Sequence, residues 1–464
     1  MAEKNKKILS TRINNKTSQL MESINSSIDI DSRLFNEDIE VTRAHAAALH
    51  KLKILSNSEL IKINKGLNKI SKLHKSGKIK FNKSNEDIHM NIEFFLYKII
   101  GETASKIHTG RSRNDQVSAD TRLWVLRSCK KLQKQIKKLM SEIVKKSRSY
   151  QNNLIPGFTH LQVAQPVTLA HHLLAYYEMF KRDLTQIDFV EKATNENPLG
   201  SAALAGSNYD LDINLLNKEL GFTYSKKNSL DAVSDRDFCI YFLQSISLIN
   251  LHLGKLSSEL ILWSSSQFNL FKISNKYSTG SSIMPQKRNP DSLELIRGKA
   301  NLTRNQSSNF LNVVANLPLT YFKDFQEDKK IVFDSYDSTK LCLEVITEII
   351  KESKFNTENS LAICDDNFAS ATDLADYLVV KKKLPFRESY KIIASIVKFA
   401  QNNNKTLAKL SLNEFKKFYS KIDQEIYNYI DISKSIFRKK TPMSTNPKKV
   451  ELAIKRAERF LNKK

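Results

Sequence analysis

The chain has 464 residues and a formal net charge of +25, from 74 Lys+Arg against 49 Asp+Glu. This length predicts two or three subdomains. The sequence contains no run of roughly 18 to 20 apolar residues, so a membrane span is not expected. Lysine is spread along the whole chain with no zinc-finger, RNP or basic-zipper pattern, which argues against nucleic-acid binding as the main function and for attraction of anionic substrates.

Turn-forming residues and cysteines are scarce. With only 11 Gly and 9 Pro, the chain is expected to form long helices rather than large sheets. Cys129, Cys239, Cys342 and Cys364 form no CxxC pair, which argues against a zinc site or a disulfide framework and fits a reducing compartment. The N-terminal stretch MAEKNKKILS has no apolar h-region, so we expect a cytoplasmic protein without a secretory signal.

The first predicted elements are helical patches and polar loops over residues 1–110. From Arg122 to Lys146, apolar residues recur at spacings of four and three, which is typical of a long amphipathic helix with a bundle seam. The seam residues are Val125, Cys129, Leu132, Ile136, Leu139 and Ile143. Residues 156–166 interrupt the helical pattern, and Pro166 is expected in the first turn of the helix that follows.

A further seam begins near Phe242, and another helix is expected to start near Pro290. The residues of this seam are Ile246, Ile249, Leu253, Leu256, Leu260 and Trp263. We therefore predict an all-α fold with a central bundle of long helices. The expected domains are a helical N-terminal domain (1–112), the bundle (113–363) and a smaller helical C-terminal domain (364–464). The helices offer more apolar surface than one bundle needs, which favours oligomerisation.

The loop at residues 277–291, YSTGSSIMPQKRNPD, is the richest in chemistry. Gly280 allows unusual backbone angles, and two prolines resist helix continuation. Ser281 and its neighbour Ser282 offer hydroxyls for proton transfer, and Lys287 and Asn289 offer groups for developing negative charge. The alternative for any single residue is a polar surface loop.

Two other polar stretches carry candidate groups. Residues 108–117, HTGRSRNDQV, contain Arg113, a bidentate fork for a carboxylate, and Asn114, both donor and acceptor. The alternative is a charged helix start, where an acidic residue is favourable. Residues 321–329, YFKDFQEDK, offer Tyr321, Gln326 and Lys329, with a solvated loop as the alternative.

Thr159 and His160 lie in the stretch GFTHLQVAQP, in a predicted non-helical turn between two prolines. A lone histidine is more often structural than functional. Histidine can exchange a proton near neutral pH, and this one is placed in a loop rather than on a seam, which favours proton transfer. Glu294, just after the 277–291 loop, is a candidate to orient its ring.

The 277–291 loop resembles the signature loop of the fumarase/aspartase superfamily. Together with the GRSRNDQ, THLQ and KDFQEDK strings, and with DLADYLV and PFRE near the C-terminus, it resembles the argininosuccinate lyase family in collinear order over nearly the whole chain. Four residues depart from that pattern, one of which is Lys330 in place of an acid, and the C-terminal stretch FRKKTPMSTNPKKV lacks the usual Gly-Gly. Arg288 stands where Lys is more frequent, and Phe322 and Phe325 replace Asn and Leu.

The resemblance implies an enzyme that converts argininosuccinate reversibly to L-arginine and fumarate, the final step of arginine biosynthesis. It assigns proton transfer to His160 and Ser281, without deciding which is the base, together with supporting roles for Lys287 and Glu294. It implies no metal or organic cofactor, and a homotetramer whose sites are shared by three subunits. The substrate contacts that it implies are Ser27, Arg113, Asn114, Thr159, Asn289, Tyr321, Gln326 and Lys329.

Two other functions remain open from the sequence. A sister enzyme such as adenylosuccinate lyase shares the signature loop but not the GRSRNDQ string, so assays with both substrates separate the two. A non-catalytic structural relative is expected to have lost a proton carrier or an anion-binding group, whereas His160, Ser281, Lys287 and Asn289 are all present.

Overall fold

The computed structural model describes residues 18–462 and is predominantly helical, so the all-α prediction is confirmed. The α-helices are α1 (Gln19–Asn25), α2 (Ile28–Asp31), α3 (Phe35–Lys51), α4 (Asn57–Lys75), α5 (Ile88–Ile100), α6 (Arg113–Ser149), α7 (Leu169–Thr194), α8 (Ile213–Leu220), α9 (Ser229–Ser234), α10 (Asp237–Ser264), α11 (Asp291–Arg304), α12 (Gln306–Val314), α13 (Gln326–Glu352), α14 (Thr357–Asp366), α15 (Ala371–Lys382), α16 (Phe386–Asn402), α17 (Leu412–Lys416), α18 (Ile426–Ile430), α19 (Ile432–Ser435) and α20 (Pro447–Asn462).

The β-structure consists of short paired strands. The strands are β1 (Leu154–Thr159), β2 (Gln162–Thr168), β3 (Glu196–Asn197), β4 (Tyr224–Ser225), β5 (Phe271–Lys272), β6 (Thr279–Gly280), β7 (Arg288–Asn289) and β8 (Lys354–Phe355). The pairs β1–β2, β5–β8 and β6–β7 are antiparallel, and β3–β4 is parallel. Short 3₁₀ segments occupy Ser32–Leu34, Lys83–Asn85, Gly101–His108, Asn275–Tyr277, Lys323–Phe325, Leu407–Lys409 and Ile436–Arg438.

The seam residues predicted from periodicity are buried. On α6 and α10 every one of them exposes no more than 3% of its surface. The α6 helix begins at Arg113, about two and a half turns before the predicted Arg122, so the GRSRNDQ string contains a helix start. The α11 helix begins at Asp291, next to the predicted Pro290.

The chain forms two compact units. Among the described residues, the first comprises 18–129, 189–242 and 308–334, and the second comprises 130–188, 243–307 and 335–462. In the first unit α3, α4 and α5 pack together. A capping box of Ser56 and Glu59 begins α4, and the Asp87 side chain caps α5 by accepting the Met90 N–H.

In the second unit, the C-terminal helices have a core of their own, which includes Leu374, Ile396 and Phe415. A second cluster joins the base of the β1–β2 hairpin, through Leu154, to Cys364 of α14. The three domains predicted from sequence stay a prediction, because division into compact units does not test their boundaries.

The prediction for Pro166 was wrong. This residue lies in β2, opposite Pro156 of β1, and α7 begins only at Leu169. A two-stranded ribbon has an open edge on each strand, and a residue without an N–H is tolerated at such an edge. In the part of the chain that the structure describes, no helix is both long and apolar enough to cross a membrane.

Candidate active site

The candidate residues fall into two groups within the chain. The first unit contains Ser27, Arg113, Asn114, Tyr321, Gln326 and Lys329. The second unit contains Thr159, His160, Ser281, Lys287, Asn289 and Glu294. Each group is described by itself below.

The start of α6 holds the candidate anion-binding residues of the first unit. Arg113 Nη1 donates to Asp87 Oδ1 at 3.2 Å, and Asn114 Nδ2 donates to the Ala203 carbonyl at 3.0 Å. Asp115 anchors the neighbouring loop, because its Oδ2 accepts the Ala202 N–H at 2.8 Å. Burial raises the pKa of Asp115 to about 6. The stretch is therefore a charged helix start, as one interpretation of the sequence predicted. It also carries Arg113 and Asn114, the side chains that the other interpretation proposed for anion binding.

Ser27 is buried and lies at the N-terminus of α2. Its hydroxyl donates to Asp31, and the other oxygen of Asp31 accepts the Ile88 N–H at 3.0 Å. Burial, followed by the nearby Asp87 carboxylate, raises the pKa of Asp31 to about 7. Asp31 also interacts electrostatically with Lys329, which brings Ser27 and Lys329 into one neighbourhood.

The C-terminal end of the stretch at residues 321–329 is buried and is not a solvated loop. Lys329 is 3% exposed, and its ammonium donates to Asp328 Oδ1 at 2.8 Å and to the Phe325 carbonyl at 2.9 Å. Arg236 Nε donates to the other Asp328 oxygen at 2.7 Å. Phe325 is buried under the Arg236 guanidinium, 4.2 Å from its ring centre, so the departure to Phe at this position has a packing role.

Gln326 and Tyr321 complete the first group. Gln326 begins α13, and its amide donates to the Asn25 carbonyl at 3.0 Å, close in sequence to Ser27. Burial raises the pKa of Tyr321, whose ring packs 5.8 Å from that of Phe325. The hydroxyl of Tyr321 is therefore a neutral hydrogen-bonding group at neutral pH.

In the second unit, Thr159 and His160 lie at the tip of the β1–β2 hairpin. Thr159 pairs with Gln162, and the two residues between them form the turn. His160 has φ 56° and Leu161 has φ 58°, so both adopt the left-handed conformation that two-residue hairpins require and that favours glycine or asparagine. The exposed imidazole is thus displayed by a strained turn, as expected for residues held for function.

The 277–291 loop is a closed hairpin. Its ends pair as β6 and β7, and Asp291 Oδ2 accepts both the N–H and the hydroxyl of Thr279. Arg288 donates to the Ile273 carbonyl at 3.1 Å and to Ser278 Oγ at 3.2 Å, so the departure to Arg at this position braces the loop.

Within this hairpin, Ser281 Oγ accepts the N–H groups of Ile283 at 3.2 Å and Met284 at 3.0 Å. Lys287 is exposed and Asn289 is half-buried in β7. Glu294 is exposed in the first turn of α11, and no hydrogen bond joins it to His160 within the described residues of one chain. Its pairing with His160 stays a prediction.

Four buried charged residues around the candidate groups of the first unit were missed from sequence: Asp31, Asp87, Arg236 and Asp328. Only Asp87 carried a signal, since it directly precedes the apolar stretch IHMNIEFFLYKII and so marks a helix N-cap. The other three come from elements far apart in sequence, and only the fold brings Arg236 to Asp328.

Comparisons with known proteins identify the relatives of this chain. Residues 11–302 match the family described as Lyase, and residues 368–437 match the family described as Argininosuccinate lyase C-terminal. The argininosuccinate lyase of Acetivibrio thermocellus is 42% identical over 456 residues, which cover 98% of this chain and 99% of the relative. That of Prochlorococcus marinus is 44% identical over 426 residues, which cover 92% and 93% of the two chains.

Solved structures share the fold at lower identity. A variant of EDDS lyase with bound fumarate has a TM-score of 0.83 at 24% identity and covers 96% of this chain and 90% of its own. Class II fumarase from Schistosoma mansoni has a TM-score of 0.75 at 14% identity, covering 91% and 94%. At these identities the likeness concerns the fold alone.

Proposed function

This chain belongs to the argininosuccinate lyase family, and on that premise we propose that it converts argininosuccinate reversibly to L-arginine and fumarate by anti elimination. The observation that carries the site assignment is the closed 277–291 hairpin, on which Ser281, Lys287 and Asn289 all lie. This reaction is the final step of arginine biosynthesis, and we place it in the cytoplasm.

The difficult step is removal of a proton from a carbon next to a carboxylate. A second negative charge develops on that carboxylate, so preorganised cations and donors must surround it. Lys287 and Asn289 take this role, and each such donor is typically worth on the order of 10² to 10³ in rate. The reaction itself needs only an acid, a base and electrostatic stabilisation.

His160 and Ser281 are the two proton carriers. An anti elimination places the acid and the base on opposite faces of the substrate, so these groups act from different sides. The two backbone N–H groups bound to Ser281 Oγ favour an alkoxide, because hydrogen bonds to a charged form stabilise it. Glu294 orients the His160 ring, which holds the imidazole ready for proton transfer.

The first group of residues binds the remainder of the substrate. Arg113 and Lys329 offer positive charge to its carboxylates, and Ser27, Asn114 and Gln326 offer polar contacts. An ammonium has three donors, and Lys329 uses two of them within the protein. The third is directed to substrate, as are the Tyr321 hydroxyl and, from the second group, Thr159.

We infer a homotetramer in which each site takes residues from three subunits. The inference rests on membership of the argininosuccinate lyase family, whose relatives match over nearly the whole chain. A verified monomer should then be inactive.

The test is absorbance near 240 nm when purified protein is mixed with argininosuccinate. Growing fumarate absorbance is expected from the unmodified protein, and Ser281→Ala is expected to lower the rate by about 10³ or more. Ser282→Ala is the matched control, since it removes the adjacent hydroxyl, and its rate should stay within about tenfold of the unmodified protein.

Two results would contradict the proposal. A folded, assembled protein that leaves argininosuccinate unchanged but splits adenylosuccinate would be a sister lyase. Equal losses in the two serine variants would remove Ser281 from its assigned role while leaving the reaction in place.

A further inference from the structure

Three buried side chains meet in the first unit, each from a different helix. They are Asp38 of α3, His89 of α5 and Asp120 of α6, and none exposes more than 1% of its surface. His89 Nδ1 lies 3.3 Å from Asp38 Oδ1 and 3.3 Å from Asp120 Oδ2. We call these three residues the Asp–His–Asp cluster.

The cluster needs positive charge or a proton. Among the described residues, Asp38 Oδ2, both Asp120 oxygens and His89 Nδ1 make no hydrogen bond. Buried polar atoms without partners are costly. A bare lone pair on His89 Nδ1 would also face carboxylate oxygens on two sides, so Nδ1 itself carries a proton or a cation lies among these groups.

Charge balance decides between a proton and a divalent cation. Arg111 is 5% exposed and interacts electrostatically with both Asp38 and Asp120. Asp115, another carboxylate near Arg111, accepts the backbone N–H groups of Ser112, Gly200 and Ala202, which stabilise its charge separately. Within the cluster, two carboxylates and the Arg111 guanidinium therefore leave one negative charge, which a single proton neutralises. A divalent cation would instead leave a net positive charge in the interior, where unbalanced charge is expensive.

The other charged groups that face the cluster already have partners. Glu37 of α3 accepts a hydrogen bond from Arg127 at 2.7 Å, and Asp87 accepts one from Arg113 at 3.2 Å. Burial, followed by the neighbouring Asp38 and Glu37 carboxylates, raises the pKa of Asp120 well above its ordinary value. This direction agrees with the proton that the charge balance of the cluster requires.

Three consecutive residues connect the cluster to the substrate-binding group. Asp87 binds Arg113, the Ile88 N–H binds Asp31, whose other oxygen accepts the Ser27 hydroxyl, and His89 enters the cluster. A change in the position of His89 must displace this turn, and with it the partners of Arg113 and Ser27.

We propose that Asp38, His89 and Asp120 share one buried proton and that this cluster positions Arg113 and Ser27 for the substrate. Its members are positioning residues, since they act through the turn at residues 87–89. The kinetic part of this inference rests on the proposed function, whereas the proton itself does not.

The kinetic test compares Asp120→Asn with Asp120→Ala. The amide of Asn supplies a permanent donor in place of the shared proton, so kcat/KM should stay within about fivefold of the unmodified protein. Ala removes the contact, and KM should rise about tenfold or more with a smaller change in kcat. The matched control is Asp183→Asn, which alters another buried Asp–His pair, with His252, in the second unit and should leave KM unchanged.

The proton is tested by unfolding at about pH 5 and about pH 8. The folded cluster retains a proton that the unfolded chain releases, so raising the pH favours unfolding of the unmodified protein by up to tenfold per pH unit relative to Asp120→Asn. Asp38→Asn repeats the comparison at the other carboxylate if the first variant fails to fold. This measurement needs no lyase activity, so it separates failure of the inference from failure of the proposed function.

Three results would overturn the inference. Parallel pH profiles for the unmodified protein and Asp120→Asn would mean that no proton is shared. Equal KM increases in Asp120→Asn and Asp120→Ala, or no increase in either, would remove the positioning role. A stoichiometric divalent metal found by elemental analysis, and lost in Asp120→Asn, would make the cluster a cation site instead.

Discussion

At the scale of single residues, Lys329 is a charge held in the interior. Burial alone would lower its pKa, but the Asp328 carboxylate at 2.8 Å raises it, so the ammonium stays protonated. Burial would likewise raise the pKa of Asp328, but Lys329 and Arg236 lower it. Replacing buried ion pairs with apolar groups is often neutral or stabilising, so retention of this one fits a role in binding the substrate.

Lys330, the lysine next to Lys329 in the chain, provides a matched control for substitution of Lys329. Lys329→Met should lower kcat/KM by about 10²-fold or more, because it removes a cation from the proposed site. It should also cost about 2 to 4 kcal/mol in the free energy of unfolding. Lys330→Met breaks an exposed pair with Asp334 and should cost about 1 kcal/mol or less, with near-normal activity. Fumarate absorbance and urea unfolding measure the two effects, and similar losses in both variants would refute the assignment.

At the scale of elements, the turn of the β1–β2 hairpin that exposes His160 has a backbone conformation that costs stability. Its two turn residues are neither Gly nor Asn, although both have positive φ. A left-handed conformation costs roughly 1 to 2 kcal/mol for most L-residues. Leu161 is 62% exposed, so in one chain it recovers little of that cost through burial.

Leu161→Gly should therefore stabilise the protein by about 0.5 to 1 kcal/mol, the conformational relief exceeding the entropy cost of glycine. Gln162→Gly is the matched control, because Gln162 is a neighbouring exposed residue already in β2, where glycine should destabilise by a similar amount. Thermal unfolding of both variants gives the signs. A lower midpoint for Leu161→Gly would show that the leucine side chain has a stabilising contact.

Elements with a repeating pattern could be predicted from the sequence, and those without one could not. The buried residues of α6 and α10 were predicted correctly, because burial of one helix face imposes a spacing of three and four between apolar residues. The β1–β2 hairpin was missed because its strands are short and each contains a proline. The Asp–His–Asp cluster was also missed, since its members are separated by 51 and 31 positions along the chain and no local pattern relates them.

At the scale of the whole molecule, the candidate residues were predicted one by one, but their division between two units was not. Asn114 belongs to the first unit and Ser281 to the second. If a site is completed by different subunits of a homotetramer, these two residues come to it from separate chains. In that arrangement, mixed tetramers of two inactive variants can regain activity, which is impossible for a site built from one chain.

Asn114→Ala and Ser281→Ala should each be nearly inactive alone, yet mixed tetramers of the two should recover activity. In a site that takes Asn114 from one subunit and Ser281 from another, random one-to-one mixing leaves both residues intact in about a quarter of sites. The expected recovery is therefore about a quarter of normal turnover after the variants are unfolded together and reassembled, with each variant treated alone as the control. No recovery from tetramers verified by light scattering would place both residues in one subunit's site, because every such site would then lack one of the two groups.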